Sequence, residues 1–236
     1  MYKESQQKIL VFLIEENQID RQGAYSMISK QQGMEVLGQA SSVEEVLQIA
    51  GDILPRTVVV YSMLTERSLS MVYRLRKISP EVSVIVLAEY EDDDNLSQAI
   101  MAGASAFLTK QSTNEQLFSV IKRVFKGERP VCQCILHRPR VAMQILERFH
   151  KLSSMALGLE SLVAPLSVSE NDVLSRIADG NPIEAITGSL NVSKREIERY
   201  VSSILRKLDV NERTRNAIVA LRGRGSYTVR SWQHQA

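Results

Sequence analysis

Cysteine and histidine are scarce in this chain: two Cys and three His among 236 residues. Two thiols cannot form a disulfide framework, and the length suits two modest domains that bury their own cores without one. The histidines are scattered, no nucleophile–base pair or metal-ligand set is visible, and no glycine loop is spaced to cradle phosphates. An enzyme is therefore not expected, nor is a resident cofactor. No apolar run approaches the roughly 20 residues of a membrane span, and the opening Met1-Tyr2-Lys3-Glu4-Ser5 lacks the apolar core of a signal peptide. These absences point to a cytoplasmic chain with no membrane partner. Internal repeats and low-complexity segments are missing as well.

Charge is present but unevenly placed. The formal net charge of +2 averages an acidic front and a basic back. Before Lys126 there are 12 Lys and Arg against 16 Asp and Glu, a net of −4. From Ser193 to Arg224 nine basic residues face four acidic ones, a net of +5, whereas 166–190 carries −3. Gathered positive charge is the electrostatic footprint of a nucleic-acid surface, and it lies only near the C-terminus.

That region has regular punctuation. Ser167 and Glu170 stand three apart before an apolar stripe of Val173, Leu174 and Ile177, a capping box that starts a helix. Asp179-Gly180 ends it. A second short helix runs through Ile183, Ile186 and Leu190. Asn191-Val192-Ser193 then connects to a third helix opened by another capping box, Ser193 with Glu196. In this third helix Ile197, Val201, Ile204, Leu205 and Leu208 form the buried stripe. Lys194, Arg195, Arg199, Ser202 and Arg206 fall on the other side at spacings of three and four. A major groove admits one helix, whose N-terminal half meets base edges while flanking cations meet phosphates. Arg195 and Arg199, one turn apart, are the candidates for base contact, with Glu198 and Ser202 beside them. Lys194, Arg206 and Lys207 are candidates for phosphate contact.

In order and spacing, Leu166 to Glu170, Asn191 to Ser193, Val201 to Leu208 and Arg213-Thr214 resemble the DNA-binding domain of NarL/LuxR-type regulators. The resemblance implies an all-α, four-helix helix-turn-helix domain. Its recognition helix would run over 193–208, and its last helix, from Glu212 to about Arg222, would pair two domains as a homodimer on double-stranded DNA. Glu198 stands where the family usually carries Lys, and Tyr200 where it often carries His. A carboxylate repels phosphate but can accept from cytosine N4.

Upstream, apolar runs at 9–14, 34–37, 58–61, 82–87 and 106–108 alternate with helical periodicities around 19–28, 43–50, 69–78, 95–101 and 115–125. Alternation of this kind predicts an α/β, doubly wound, five-stranded parallel sheet covered on both faces. Glu15-Glu16 after the first strand, Gly103-Ala104 before the fifth and Lys110 after it resemble the receiver domains of response regulators, a flavodoxin-like fold. The family gathers an acidic pair, a phosphoacceptor Asp, a Ser or Thr, and a Lys around a magnesium ion. Carried over, the acidic pair is Glu15 and Glu16, the phosphoacceptor position is Tyr61, the hydroxyl position is Ala88, and the lysine is Lys110. Phe107 matches the switch aromatic. A phenol cannot become an acyl phosphate and is neutral near pH 7, and a methyl cannot hydrogen-bond a phosphoryl oxygen. The resemblance therefore implies a degenerate receiver, with Lys110 pairing Glu15 or Glu16. Asp92, Asp93 and Asp94 fit a helix start, where carboxylates complement the macrodipole.

The organisation expected is a receiver-like domain over 1–126, a linker with a helix over 127–163, the helix-turn-helix domain over 164–224 and a tail over 225–236. In the linker, Pro139 can open a helix whose Ala142, Ile145, Phe149 and Leu152 share a face; docking onto a neighbouring domain is preferred to a dimer helix. Cys132, Cys134 and His137 are three soft ligands within six residues, a weak candidate for a metal site or an oxidation sensor, against the plainer reading of two ordinary thiols. Control would come through a protein partner, a small ligand at the strand ends, or abundance. The rival function is a regulatory interaction protein whose receiver-like domain binds another regulator, with DNA contact weak or lost.

Overall fold

Five short runs form one sheet in the computed structural model, which describes residues 8–49, 58–63, 72, 74–76, 79, 81–155 and 164–228. The strands are β1 (Ile9–Ile14), β2 (Met34–Ala40), β3 (Val58–Met63), β4 (Ser83–Ala88) and β5 (Ala106–Thr109). All are parallel, in the order β2-β1-β3-β4-β5. Val11, Val59, Val84, Ile85 and Val86 are fully buried, as expected of strands covered on both faces. The order reverses between β1 and β3, so the strand ends splay there into a crevice.

Four helices cover this sheet: α1 (Gln18–Ser29), α2 (Val43–Ile49), α3 (Asp93–Met101) and α4 (Asn114–Phe125). Between β3 and β4, residues 72 and 74–76 are helical; the rest of the helix expected at 69–78 lies outside the described residues. The starts are fixed by side chains. Asn17 caps α1 by accepting from the N–H groups of Ile19 and Asp20, and Asp92 caps α3 by accepting from Asn95 at 2.7 Å. Asp93 and Asp94 occupy the first turn of α3, as their sequence position implied. Thr113 and Gln116 close a capping box on α4.

The chain divides into two compact units, Met1–Leu136 and His137–Ala236. The stretch expected as a linker contributes to both. A short helix, α5 (Val131–Ile135), belongs to the first, its Val131 N–H bonded to the Ser105 carbonyl at 3.2 Å. The second begins with α6 (Pro139–Met155), which buries Ala142, Ile145, Phe149 and Leu152 and packs on α7.

Then come α7 (Val168–Ala178), α8 (Ile183–Leu190) and α9 (Lys194–Thr228). Gly180, at φ +79°, follows the C-terminus of α7, and Asn191, at φ +52°, caps α8. Here one expectation is corrected. The third and fourth helices are a single helix, α9, with no break between Leu208 and Glu212. No Gly or Pro interrupts 208–213, and one-turn ion pairs carry the helix onward: Arg213 to Asp209 at 3.0 Å and Arg215 to Glu212 at 3.4 Å. The helix runs into the stretch expected as a tail, as far as Thr228, and 229–236 lie outside the described residues.

Candidate nucleic-acid interface and strand-end pocket

In the second unit the two capping boxes expected from the sequence form as written. Ser167 exchanges bonds with Glu170 at 2.7 and 3.3 Å, and Ser193 with Glu196 at 2.8 and 3.2 Å. Ile197, Val201, Ile204, Leu205 and Leu208 are all buried, so the rotational setting of α9 is fixed by its apolar stripe. The opposite edge follows from that setting. Lys194, Arg195, Arg199 and Arg206 are exposed, and Glu198 and Ser202 are half-buried between them. Arg199 reaches Glu196 at 3.5 Å, yet its side chain stays 73% exposed. Such a pair is too weak to withhold the guanidinium from a ligand.

Lys207 is placed differently. Its ammonium donates to Glu170 Oε2 at 2.6 Å and to the Pro165 carbonyl at 2.9 Å. Burial would raise the Glu170 pKa. The Lys207 ammonium, the Ser167 N–H and the hydroxyls of Ser203 and Ser167 outweigh it and hold the carboxyl at about 2. Two further buried polar groups, Asn211 and Glu212, brace the middle of α9. Asn211 accepts from the Ala164 N–H at 2.8 Å and donates to its carbonyl at 3.0 Å, while Glu212 takes a two-pronged Arg148 from α6. Sequence reasoning missed both contacts, because partners 47 and 64 residues away leave no local signal.

In the first unit the strand ends bring Glu15 and Lys110 together, as expected, but with Asp20 rather than Glu16 as the third member. Lys110 Nζ lies 3.1 Å from Glu15 Oε2 and 3.2 Å from Asp20 Oδ2. Burial pulls the Lys110 pKa down, but the hydrogen bonds to Glu15 and Asp20 outweigh this and leave it above the ordinary lysine value. Glu15 is buried and also accepts from the Asn17 N–H at 2.9 Å. Glu16 is exposed; only its backbone carbonyl takes part, accepting from Arg21 at 3.2 Å. Asp20 lies in the first turn of α1, where the sequence reading did not single it out.

Tyr61 pairs in register with Ile14 on one side and Val86 on the other. Ala88 is the last residue of β4, fully buried, and its carbonyl accepts the Lys110 N–H at 2.8 Å. Phe107, in β5, is buried at 6% exposure. Of the thiols, Cys132 is buried and Cys134 half-buried, neither in a disulfide, and His137 is exposed. Among the described residues no three His, Cys, Asp or Glu groups are placed to hold a metal, so the weak metal candidate is not assembled. Among the described residues, no helix is long and apolar enough to cross a membrane.

The first unit is thus a parallel sheet in the order β2-β1-β3-β4-β5, and the second holds a capped helix-turn-helix. Residues 11–122 match the response regulator receiver domain, and 164–220 match the family of bacterial regulatory proteins called luxR. The transcriptional regulatory protein LiaR of Bacillus subtilis is 30% identical over 217 residues, covering 91% of this chain and 97% of its own length. The response regulator GacA of Pseudomonas aeruginosa is 26% identical over 215 residues, covering 91% and 96%. A solved RcsB response regulator from Salmonella typhimurium covers 86% of this chain and 93% of its own at 17% identity, with a TM-score of 0.47. The chain belongs to the LuxR family of DNA-binding response regulators.

Proposed function

We propose that this regulator binds double-stranded DNA as a homodimer, laying the N-terminal half of α9 in the major groove, and that aspartyl phosphorylation does not license it. The observation that supports the DNA reading is the exposed edge of Lys194, Arg195, Arg199 and Arg206 above a fully buried stripe. A helix so held presents guanidinium groups rigidly, and Arg can pair bidentately with guanine. Arg195 and Arg199 read bases, with Ser202 and Glu198 adjacent. Lys194 and Arg206 hold phosphates. Lys207 is left out of the phosphate set because two of its three donors already serve the fold.

The phosphate-independent reading rests on side-chain chemistry at the receiver positions. Tyr61 offers no carboxylate to acylate or to ligate magnesium, and Ala88 offers no hydroxyl. Meanwhile Lys110 is already engaged by Glu15 and Asp20. Input then comes from a protein partner, a small ligand or abundance.

Selecting bound fragments from genomic duplex with the purified chain tests the DNA claim. Enriched two-half-site elements are expected, and enrichment should vanish when Arg195 and Arg199 are both alanine. If no sequence is enriched while the first unit captures another regulator, the interaction reading stands instead. Glu198 on the groove-facing edge is the feature that favours that second reading.

A further inference from the structure

The first unit contains a cavity of about 430 Å³ at the crevice where the strand order reverses, framed by β1, β3, α1 and the start of α4. Its floor is the hydrophobic core itself: Leu13, Val60, Met27 and Leu117 reach it. Its polar wall is the trio of Glu15, Asp20 and Lys110. That volume falls in the range of about 300–1,000 Å³ typical of small-molecule sites, and an apolar interior with a few convergent polar groups is their usual make-up.

Two details place the cavity at the solvent-exposed surface of α1, where Gly23 and Ile19 are both exposed. A Cβ built on Gly23, in the middle of α1, meets nothing within 4 Å, although Gly23 lines the cavity. Ile19 sits on the rim with 82% of its surface exposed, an apolar side chain left facing water at the entrance.

The charge on that wall selects the ligand. Two carboxylates, Glu15 and Asp20, oppose the single ammonium of Lys110, leaving one net negative charge. The first turn of α4 adds another acid, Glu115, which offsets the partial positive charge of that helix end. We infer that the cavity takes a small amine with an aromatic or branched apolar body. Its ammonium would share Glu15 and Asp20 with Lys110, and its body would fill the space beside Gly23. The inference rests on the reading that aspartyl phosphate is not the input, and it supplies the class of ligand that replaces it.

The test uses the full chain, 2-phenylethylamine as probe and 3-phenylpropanoate as the anionic control of similar size. Methyl resonances of Leu13, Met27, Val60 and Leu117 are followed by NMR. Saturable shifts with the amine, at least tenfold weaker with the carboxylate, are expected. Gly23→Leu, which adds a bulky side chain to the cavity wall, and Asp20→Asn, which removes one charge, should each weaken amine binding at least tenfold while the melting temperature shows the fold intact. The proposal is overturned by absence of saturable shifts, by preference for the carboxylate, or by unchanged binding in both variants. A parallel titration with beryllofluoride and magnesium separates the two readings. Shifts there would refute phosphate independence, whereas silence in both titrations would refute only the amine site.

Discussion

Lys207 Nζ lies 2.6 Å from Glu170 Oε2, joining the middle of α9 to the capping box that starts α7. A lysine on the helix proposed to read DNA is thereby spent on holding its own domain together. Glu170 is almost fully buried, so its charge is tolerated only because Lys207, Ser167 and Ser203 surround it.

The pH dependence follows from that burial. The Glu170 carboxyl is held at about 2 in the folded chain, below its unfolded value of 4.5, so the unfolded state binds more protons between those values. The stabilisation is complete above about pH 4.5, falls as pH drops and is gone below about 2; it amounts to about 3 kcal/mol at most. Glu170→Gln should lower the melting temperature of the second unit at pH 7 and flatten its loss of stability on acidification. Thermal melts from pH 7 to pH 3 check this. An unchanged acid profile in the variant would contradict it.

Lys207 and Arg206 are neighbours with opposite assignments. Lys207→Met should destabilise the second unit by about 1–3 kcal/mol, because it leaves a buried carboxylate short of a donor, and should leave the salt dependence of DNA binding unchanged. Arg206→Ala should do the reverse, lowering the slope of log K against log salt by about one while sparing stability. Anisotropy titrations from 50 to 200 mM salt, with melts of each variant, distinguish the two.

For base reading, Arg199→Ala should weaken binding to a selected element by about 1–3 kcal/mol and relax preference at one position. Equal weakening on random duplex would make Arg199 a phosphate contact instead.

Asn191 caps α8 in the left-handed region, at φ +52°. Asn191→Gly should therefore be close to neutral, whereas Asn191→Val should cost about 1–2 kcal/mol and disturb the turn before α9. Denaturant melts of the pair measure it.

Much of this was legible in the sequence where the signal is local. Ser167 with Glu170 and Ser193 with Glu196 announce helix starts because a hydroxyl and a carboxylate three residues apart can satisfy each other's backbone. The buried stripe from Ile197 to Leu208 fixed which cations would be exposed. Glu15 beside Lys110 followed from the receiver resemblance. What stayed hidden depends on distant partners or on the absence of a breaker. Asp20 joined Lys110 across 90 residues, and Asn211 clasped Ala164 across 47. The stop expected near Leu208 failed because Asp209 and Glu212 pair along the helix with Arg213 and Arg215 rather than ending it. The cavity beside Gly23 could not be read at all, since a missing side chain reports space only once its neighbours are placed.

The most direct measurement is the affinity of the purified full chain for a selected two-half-site duplex, by anisotropy at fixed salt, with and without beryllofluoride and magnesium. Equal affinity and an unchanged oligomeric state in both conditions are predicted, with binding lost when Arg195 and Arg199 are replaced by alanine. Tighter binding or a shift to dimer on adding beryllofluoride and magnesium would contradict the account.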